Sequence, residues 1–255
     1  MELEQTRILI ANDDGIHASG IGVLERIAKT LTDDVWVVAP ENEQSGAAHS
    51  LTIARPLRIR RRDERHFSVD GTPTDAVLLA VNQVMKDRKP DLVLSGVNRG
   101  GNLGEDVTYS GTVAAAMEGT LLGIRSIALS QMPDPDGPTK WKTAEHFAPG
   151  IIRRLWSGTW PPSVLINVNF PDLPVEQVKG VRVGRQGRRK IGAALLERLD
   201  PRGRPYYWID SARAEEPTRE GTDLAAINQG IISVTPLYMD FTYEPMISPL
   251  KELFP

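Results

Sequence analysis

The stretch ILIANDDGIHASGIGVL, residues 8–24, opens on a short apolar run and breaks at Asn12-Asp13-Asp14-Gly15. Apolar residues then resume at Ile21, Leu24, Ile27, Ala28 and Leu31. An Ile/Leu run without polar alternation is the pattern of a strand buried on both faces. Helical spacing directly after it makes the first half of a βαβ unit, with a helix over 20–31. Asp13 and Asp14 therefore stand at the carboxyl end of a strand, where open parallel sheets bind ligands. Adjacent carboxylates raise each other's cost of ionisation, so the pair calls for a cation, hydrogen-bond donors or water beside it.

The unit recurs along the chain. Val35–Pro40 (VWVVAP), Asp91–Gly96 (DLVLSG) and Ser126–Ser130 are further apolar runs. Thr74–Lys86, entered through Pro73, and the small-residue segment Ser110–Leu122 supply helices between them. The pattern predicts an α/β fold on a mostly parallel sheet. PLRIRRR (56–62) alternates apolar and basic residues as a half-exposed edge strand does, with HFSVDG (66–71) as its partner. Beyond residue 130 the regularity fades into a Pro-rich loop, MPDPDGP (132–138), a helix near Ala144–Trp156, and strand-like runs at 164–170, 179–183, 206–209 and 231–237.

Composition narrows the chemistry. The 255 residues carry a net charge of −3, so no global basic field recruits nucleic acid or an anionic membrane. The clusters RIRRR (58–62) and RQGRRK (185–190) read as solvated faces. The absence of cysteine excludes disulfides, zinc–thiolate sites and a cysteine nucleophile. The N-terminus has neither the basic flank nor the small-residue cleavage site of a signal peptide, and no run is long enough to span a membrane. A cytoplasmic protein is the expectation.

Three successive strand ends lead into NDDG, PENEQSGAAHS and SGVNRGGNLGEDVTYSGT. In a parallel sheet these loops converge on one crevice, bringing carboxylates together with Ser45, Asn98 and a glycine-rich backbone. Oxygen donors of this kind suit a hard divalent ion. YSGT (109–112) opens a helix whose free N–H groups favour a phosphate. Ser110, Gly111 and Thr112 are the expected phosphate holders, with Asn12 and Asn102 as further contacts. Singly, each residue has an ordinary reading as a turn, cap or loop residue; their meeting at consecutive strand ends points to phosphoryl chemistry. His17 and His49 lie near the carboxylates and the serine without an assigned role.

The blocks ILIANDDGIHASGI, PENEQSGAAHSLT, DGTPTDAV, DLVLSGVNRGGNLGEDVTYSGTVAAAMEG and AINQGIISVTPLYMD together resemble the SurE family of metal-dependent 5'/3'-nucleotidases, in family order from residue 8 to about 242. The resemblance implies a Rossmann-like three-layer α/β sandwich forming a single domain over 1–255. Residues 1–130 would make the core, and 131–255 would complete it and add a β-rich portion used in oligomerisation. It further implies one divalent ion per subunit, Mg²⁺ or Mn²⁺ with Ca²⁺ as a stand-in, held by Asp13, Asp14, Ser45 and Asn98. Asp13 and Asp14 double as catalytic residues. The substrates it implies are nucleoside 5'- and 3'-monophosphates and short polyphosphate, and the assembly is a homodimer or homotetramer exchanging C-terminal segments. Whether water or an aspartate attacks phosphorus stays open. A haloacid-dehalogenase-type phosphatase would need an aspartate where Asn12 stands. A nucleotide-sensing module without turnover is the rival from another class. Segments 132–143 and 185–221 follow no pattern that can be placed.

Overall fold

The computed structural model describes residues 2–191, 195–209, 213–215 and 219–254. In chain order the strands and helices are β1 (Ile8–Ala11), α1 (Ser19–Lys29), β2 (Val35–Pro40), β3 (Ile59–Arg61), β4 (His66–Val69), α2 (Pro73–Leu79), β5 (Leu92–Arg99), α3 (Gly111–Leu121), β6 (Arg125–Gln131) and α4 (Trp141–Ser157). There follow β7 (Val164–Phe170), β8 (Val181–Val183), β9 (Arg189–Ile191), β10 (Leu195–Leu199), β11 (Pro205–Ile209), β12 (Arg213–Glu215), α5 (Asp223–Asn228), β13 (Ile232–Tyr238) and α6 (Ile247–Leu253).

Nine strands form one sheet in the order β3-β4-β2-β1-β5-β6-β7-β13-β8. It is parallel throughout except where β3 meets β4 and β13 meets β7. α1 and α4 cover one face through Leu24, Ile27, Ile151 and Ile152. α2 and α3 cover the other through Ala76, Val77 and Ala115. The chain is thus an α/β sandwich of three layers around a mostly parallel sheet, with small antiparallel pairs β10-β11 and β9-β12 beside it.

Local sequence explains the helix starts. Thr72 accepts from the Asp75 N–H while the Asp75 side chain takes the Thr72 N–H, a capping box with Pro73 at the first helical position. The expected 74–86 helix is regular only to Leu79. A single wider turn follows, with the Met85 N–H donating to the Ala80 carbonyl at 2.8 Å, and Ala80, Val81 and Met85 stay buried. The edge hairpin forms as expected, with Ile59 opposite Val69. β5 runs three residues past the expected end at Gly96, its register shifting between Ser95 and Asn98. A side chain at Gly96 would strike the Leu129 carbonyl of β6, so glycine permits that approach. Strands β9, β10 and β12 and helix α5 have no counterpart in the periodicity. No helix among the described residues is long and apolar enough to cross a membrane.

Candidate active site

The strand tips of β1, β2 and β5 open onto a cleft of about 920 Å³ whose walls include Asp13, Asp14, Ser45, Asn98, Asn102 and Ser110. Six sequence-predicted residues from three loops therefore meet in one place. The turn after β1 makes this possible. The Asn12 side chain donates to the Gly15 carbonyl at 2.9 Å and accepts the Gly15 N–H at 3.2 Å, and Gly15 sits at φ +97°. Asn12 is thereby occupied in shaping the turn, and its side chain is buried outside the cleft wall.

Asp13 is 4% exposed. The Thr112 hydroxyl donates to Asp13 Oδ1, and the Gln44 N–H donates to the Asp13 carbonyl at 2.8 Å. A Cβ on Gly111 would lie 2.6 Å from the Asp13 Cβ, so only glycine lets the start of α3 come up against this carboxylate. Ser110 caps that helix, its Oγ accepting the Val113 N–H at 3.0 Å. Burial pushes the Asp13 carboxyl up to about 6; the Thr112 hydroxyl opposes the shift and the charge of Asp14 adds to it. Asp14, half-buried, is also raised, by burial and by Glu43, while the Arg99 N–H at 3.4 Å works the other way. Two carboxylates held above their ordinary range by burial and by acidic neighbours make a site that a cation stabilises.

The donor set fits a hard divalent ion. Asn98 donates through Nδ2 to the Gly100 carbonyl at 2.8 Å, which leaves its Oδ1 as an acceptor. Ser45 donates to Glu43 at 2.8 Å and keeps oxygen lone pairs available. Two carboxylates, an amide oxygen and a hydroxyl make an all-oxygen set.

Other residues hold these groups in place without facing the cleft. Asn169 on β7 accepts the Asn102 N–H at 2.8 Å and returns a bond to the Asn102 carbonyl at 3.1 Å; Asn167 donates to the same carbonyl at 2.8 Å. The Asn102 side chain donates to Ser130 at 2.8 Å. Arg189, within the cluster expected to be solvated, is 6% exposed and bonds to Asp106, a cleft residue. The rest of that reading holds better at the other cluster, where Arg60 and Arg62 pair with Glu41 at the surface. His49 reaches Glu118 of α3 at 3.0 Å and so ties the loop that carries Ser45 to that helix. His17 is exposed. Two asparagines alternating within an apolar strand, INVNF, were the available signal for the β7 contribution.

A family model described as "Survival protein SurE" matches residues 8–193. The chain belongs to the SurE family. SurE relatives span it almost end to end. A protein of Paramagnetospirillum magneticum named 5'-nucleotidase SurE is 62% identical over 248 residues, covering 97% of this chain and 95% of that one. One of the same name from Rhodospirillum rubrum is 58% identical, covering 99% and 98%. The crystal structure of the SurE protein from Aquifex aeolicus superposes with a TM-score of 0.85 at 41% identity, over 98% of this chain and 100% of that one.

Proposed function

We propose that this SurE-family chain is a divalent-metal-dependent nucleotidase that hydrolyses nucleoside 5'- and 3'-monophosphates, and short polyphosphate, to release phosphate. One observation carries the reading. Asp13, the buried member of the Asp13–Asp14 pair, abuts the N-terminus of α3 at a contact that only Gly111 leaves open, in a family whose near relatives are named 5'-nucleotidases. Carboxylates and an anion-binding helix end repel and attract the same phosphate. A cation between them reconciles the two.

Asp13, Asp14, Ser45 and Asn98 would hold that ion, which supplies charge neutralisation at a phosphoryl oxygen. The chain's own residues do the rest. The Ser110 hydroxyl and the first free N–H groups of α3, at Gly111 and Thr112, bind the other oxygens where charge develops. The Thr112 side chain meanwhile fixes Asp13. One carboxylate of the pair orients water for in-line attack and takes its proton.

The test is phosphate release from 5'- and 3'-nucleoside monophosphates with EDTA, then with Mg²⁺ or Mn²⁺ restored. Metal-restorable release is expected. Stoichiometric nucleotide binding with no release from any of them would leave a sensing module instead.

Self-association belongs to the same reading. Trp208 and Ile209 on the β10-β11 hairpin are 61% and 73% exposed, and Phe241, Tyr243, Leu253 and Phe254 near the C-terminus are also open. Exposed apolar surface of this extent marks an interaction site, here for copies of the same chain. Trp208→Glu combined with Ile209→Lys is expected to lower the solution mass toward one chain by light scattering; an unchanged mass would remove the hairpin from the interface.

A further inference from the structure

The cleft is far larger than an inorganic phosphate needs, and its volume is that of sites taking a whole small organic ligand. The surplus space has a distinct lining. Besides the Asp and Ser groups it includes Pro133, Pro135, Pro138 and Trp141, from a segment the sequence left unplaced.

This wall is built. Lys140 Nζ bridges Asp134 at 2.7 Å and Asp172 at 2.8 Å, tying the loop to the chain just beyond β7. The Met132 N–H donates to the Phe170 carbonyl at 2.9 Å, and the Thr143 hydroxyl donates to the Leu173 carbonyl. Trp141, in the first turn of α4, is half-buried against the α1 side of the core, and the end of its indole ring lies beside Gly20. A Cβ there would sit 3.3 Å from the ring and collide with the Val97 carbonyl, so glycine gives the indole its seat. The ring is thus held by packing while it still lines the cleft.

Tyr109 is the other aromatic residue on the cleft wall, but it adjoins Ser110 at the phosphate end. In a 5'-nucleotide the ribose separates base from phosphorus, so a residue that stacks the base has to stand away from the anion site. Trp141 does: α4 packs with α1 on one face of the sheet, whereas Tyr109 leads into α3 on the other.

We propose that Trp141, framed by the proline loop 133–138, is the base-stacking wall of the cleft and sets the preference for nucleotides over phosphate esters lacking a base. This rests on the nucleotidase reading and adds a selectivity determinant to it. Indole–base stacking is tolerant of base identity, because every base offers a π face, so the wall selects for a base without choosing among bases.

The experiment compares kcat/KM for AMP with kcat/KM for ribose 5-phosphate in the wild type, Trp141→Ala, Trp141→Phe and Tyr109→Ala. Trp141→Ala is expected to lower the AMP-to-ribose 5-phosphate ratio about tenfold, chiefly through KM for AMP. Trp141→Phe should recover most of it. An unchanged ratio in Trp141→Ala, including an equal loss on both substrates, overturns the proposal, as does a ratio that collapses only in Tyr109→Ala. AMP titration followed by tryptophan fluorescence keeps the question separate from turnover. AMP-induced quenching that disappears in Trp141→Phe supports the wall even if the protein releases no phosphate, an outcome that would sink the nucleotidase reading alone. Quenching of equal size in wild type and Trp141→Phe counts against the wall.

Discussion

Strand β1 and hairpin β10-β11 are made of similar residues in opposite circumstances. Ile8, Leu9, Ile10 and Ala11 are wholly buried, whereas every residue of LLERL and PYYWI is exposed. β1 finds its neighbours β2 and β5 within the chain. Among the described residues β10 and β11 pair only with each other. An apolar strand therefore reports burial, but whether the covering surface belongs to the same chain depends on what else the chain offers. The groups of the candidate site sit on the region that is complete. Ion pairs join the two regions: at the root of the arm Arg189 bonds to Asp106 in the glycine loop, and Arg188 lies 3.6 Å from Glu105.

The largest effect expected in the complete region is on activity. Asp13→Asn or Asp14→Asn should lower phosphate release on the order of 10²–10⁴-fold with the fold retained, measured as kcat beside circular dichroism. Near-normal turnover in both would show that the strand-tip carboxylates do not carry the chemistry. The next is the joint between regions. Arg189→Ala leaves Asp106 buried without its guanidinium, a loss of roughly 3–5 kcal/mol in unfolding free energy by denaturant titration. If the loss were no larger than that of a surface arginine such as Arg61, the two regions would be energetically independent.

The N-terminal half was legible because each βαβ unit carries its own period: Ile/Leu runs without alternation, then apolar residues every three or four positions. The meeting of Asp14, Ser45 and Asn98 in one cleft followed from the parallel sheet, since successive strand tips share an edge. Where the reading fell short, the missing information was non-local. The expectation for Asn12 was a phosphate contact; what the sequence did not show is that its amide closes onto Gly15, three residues away. Arg189 looked solvated because it stands in a basic run; its partner is 83 residues away. Trp141 begins a helix whose apolar spacing becomes clear only from Ala144, and its place in the cleft depends on Gly20. Strands β9, β10 and β12 lie outside the main sheet, so its pattern of apolar runs does not mark them.

Asp13 gives a pH test confined to the complete region. With metal removed by EDTA, its folded-state carboxyl titrates near 6, above the ordinary value of 3.8. Between those values the folded chain holds a proton that the unfolded chain has released, so this group's contribution makes stability fall as pH rises from about 4 to 6 and stay lower above it. A shift of this size corresponds to about 3 kcal/mol. Asp13→Asn is expected to flatten that slope and to raise the metal-free unfolding midpoint at pH 7.5 while abolishing activity. If saturating Mg²⁺ gives no stabilisation of the wild type in excess of that seen with Asp13→Asn, the pair is not where the cation binds.

The smallest effect separates a positioning amide from an ornamental one. Asn169 is fully buried, and its side chain both accepts from and donates to the Asn102 backbone. Asn169→Ala strips a buried N–H of its acceptor, at a cost of about 1–3 kcal/mol. It also frees the loop that carries Asn102 into the cleft, so KM for a nucleotide should rise more than kcat falls. Asn82 donates to the Leu78 carbonyl at 3.0 Å on the exposed side of its helix, where water replaces it. Asn82→Ala should therefore stay within about 0.5 kcal/mol of the wild type with kinetics unchanged. Equal costs for the two, with no change in KM for Asn169→Ala, would mean that β7 fills the core without shaping the cleft.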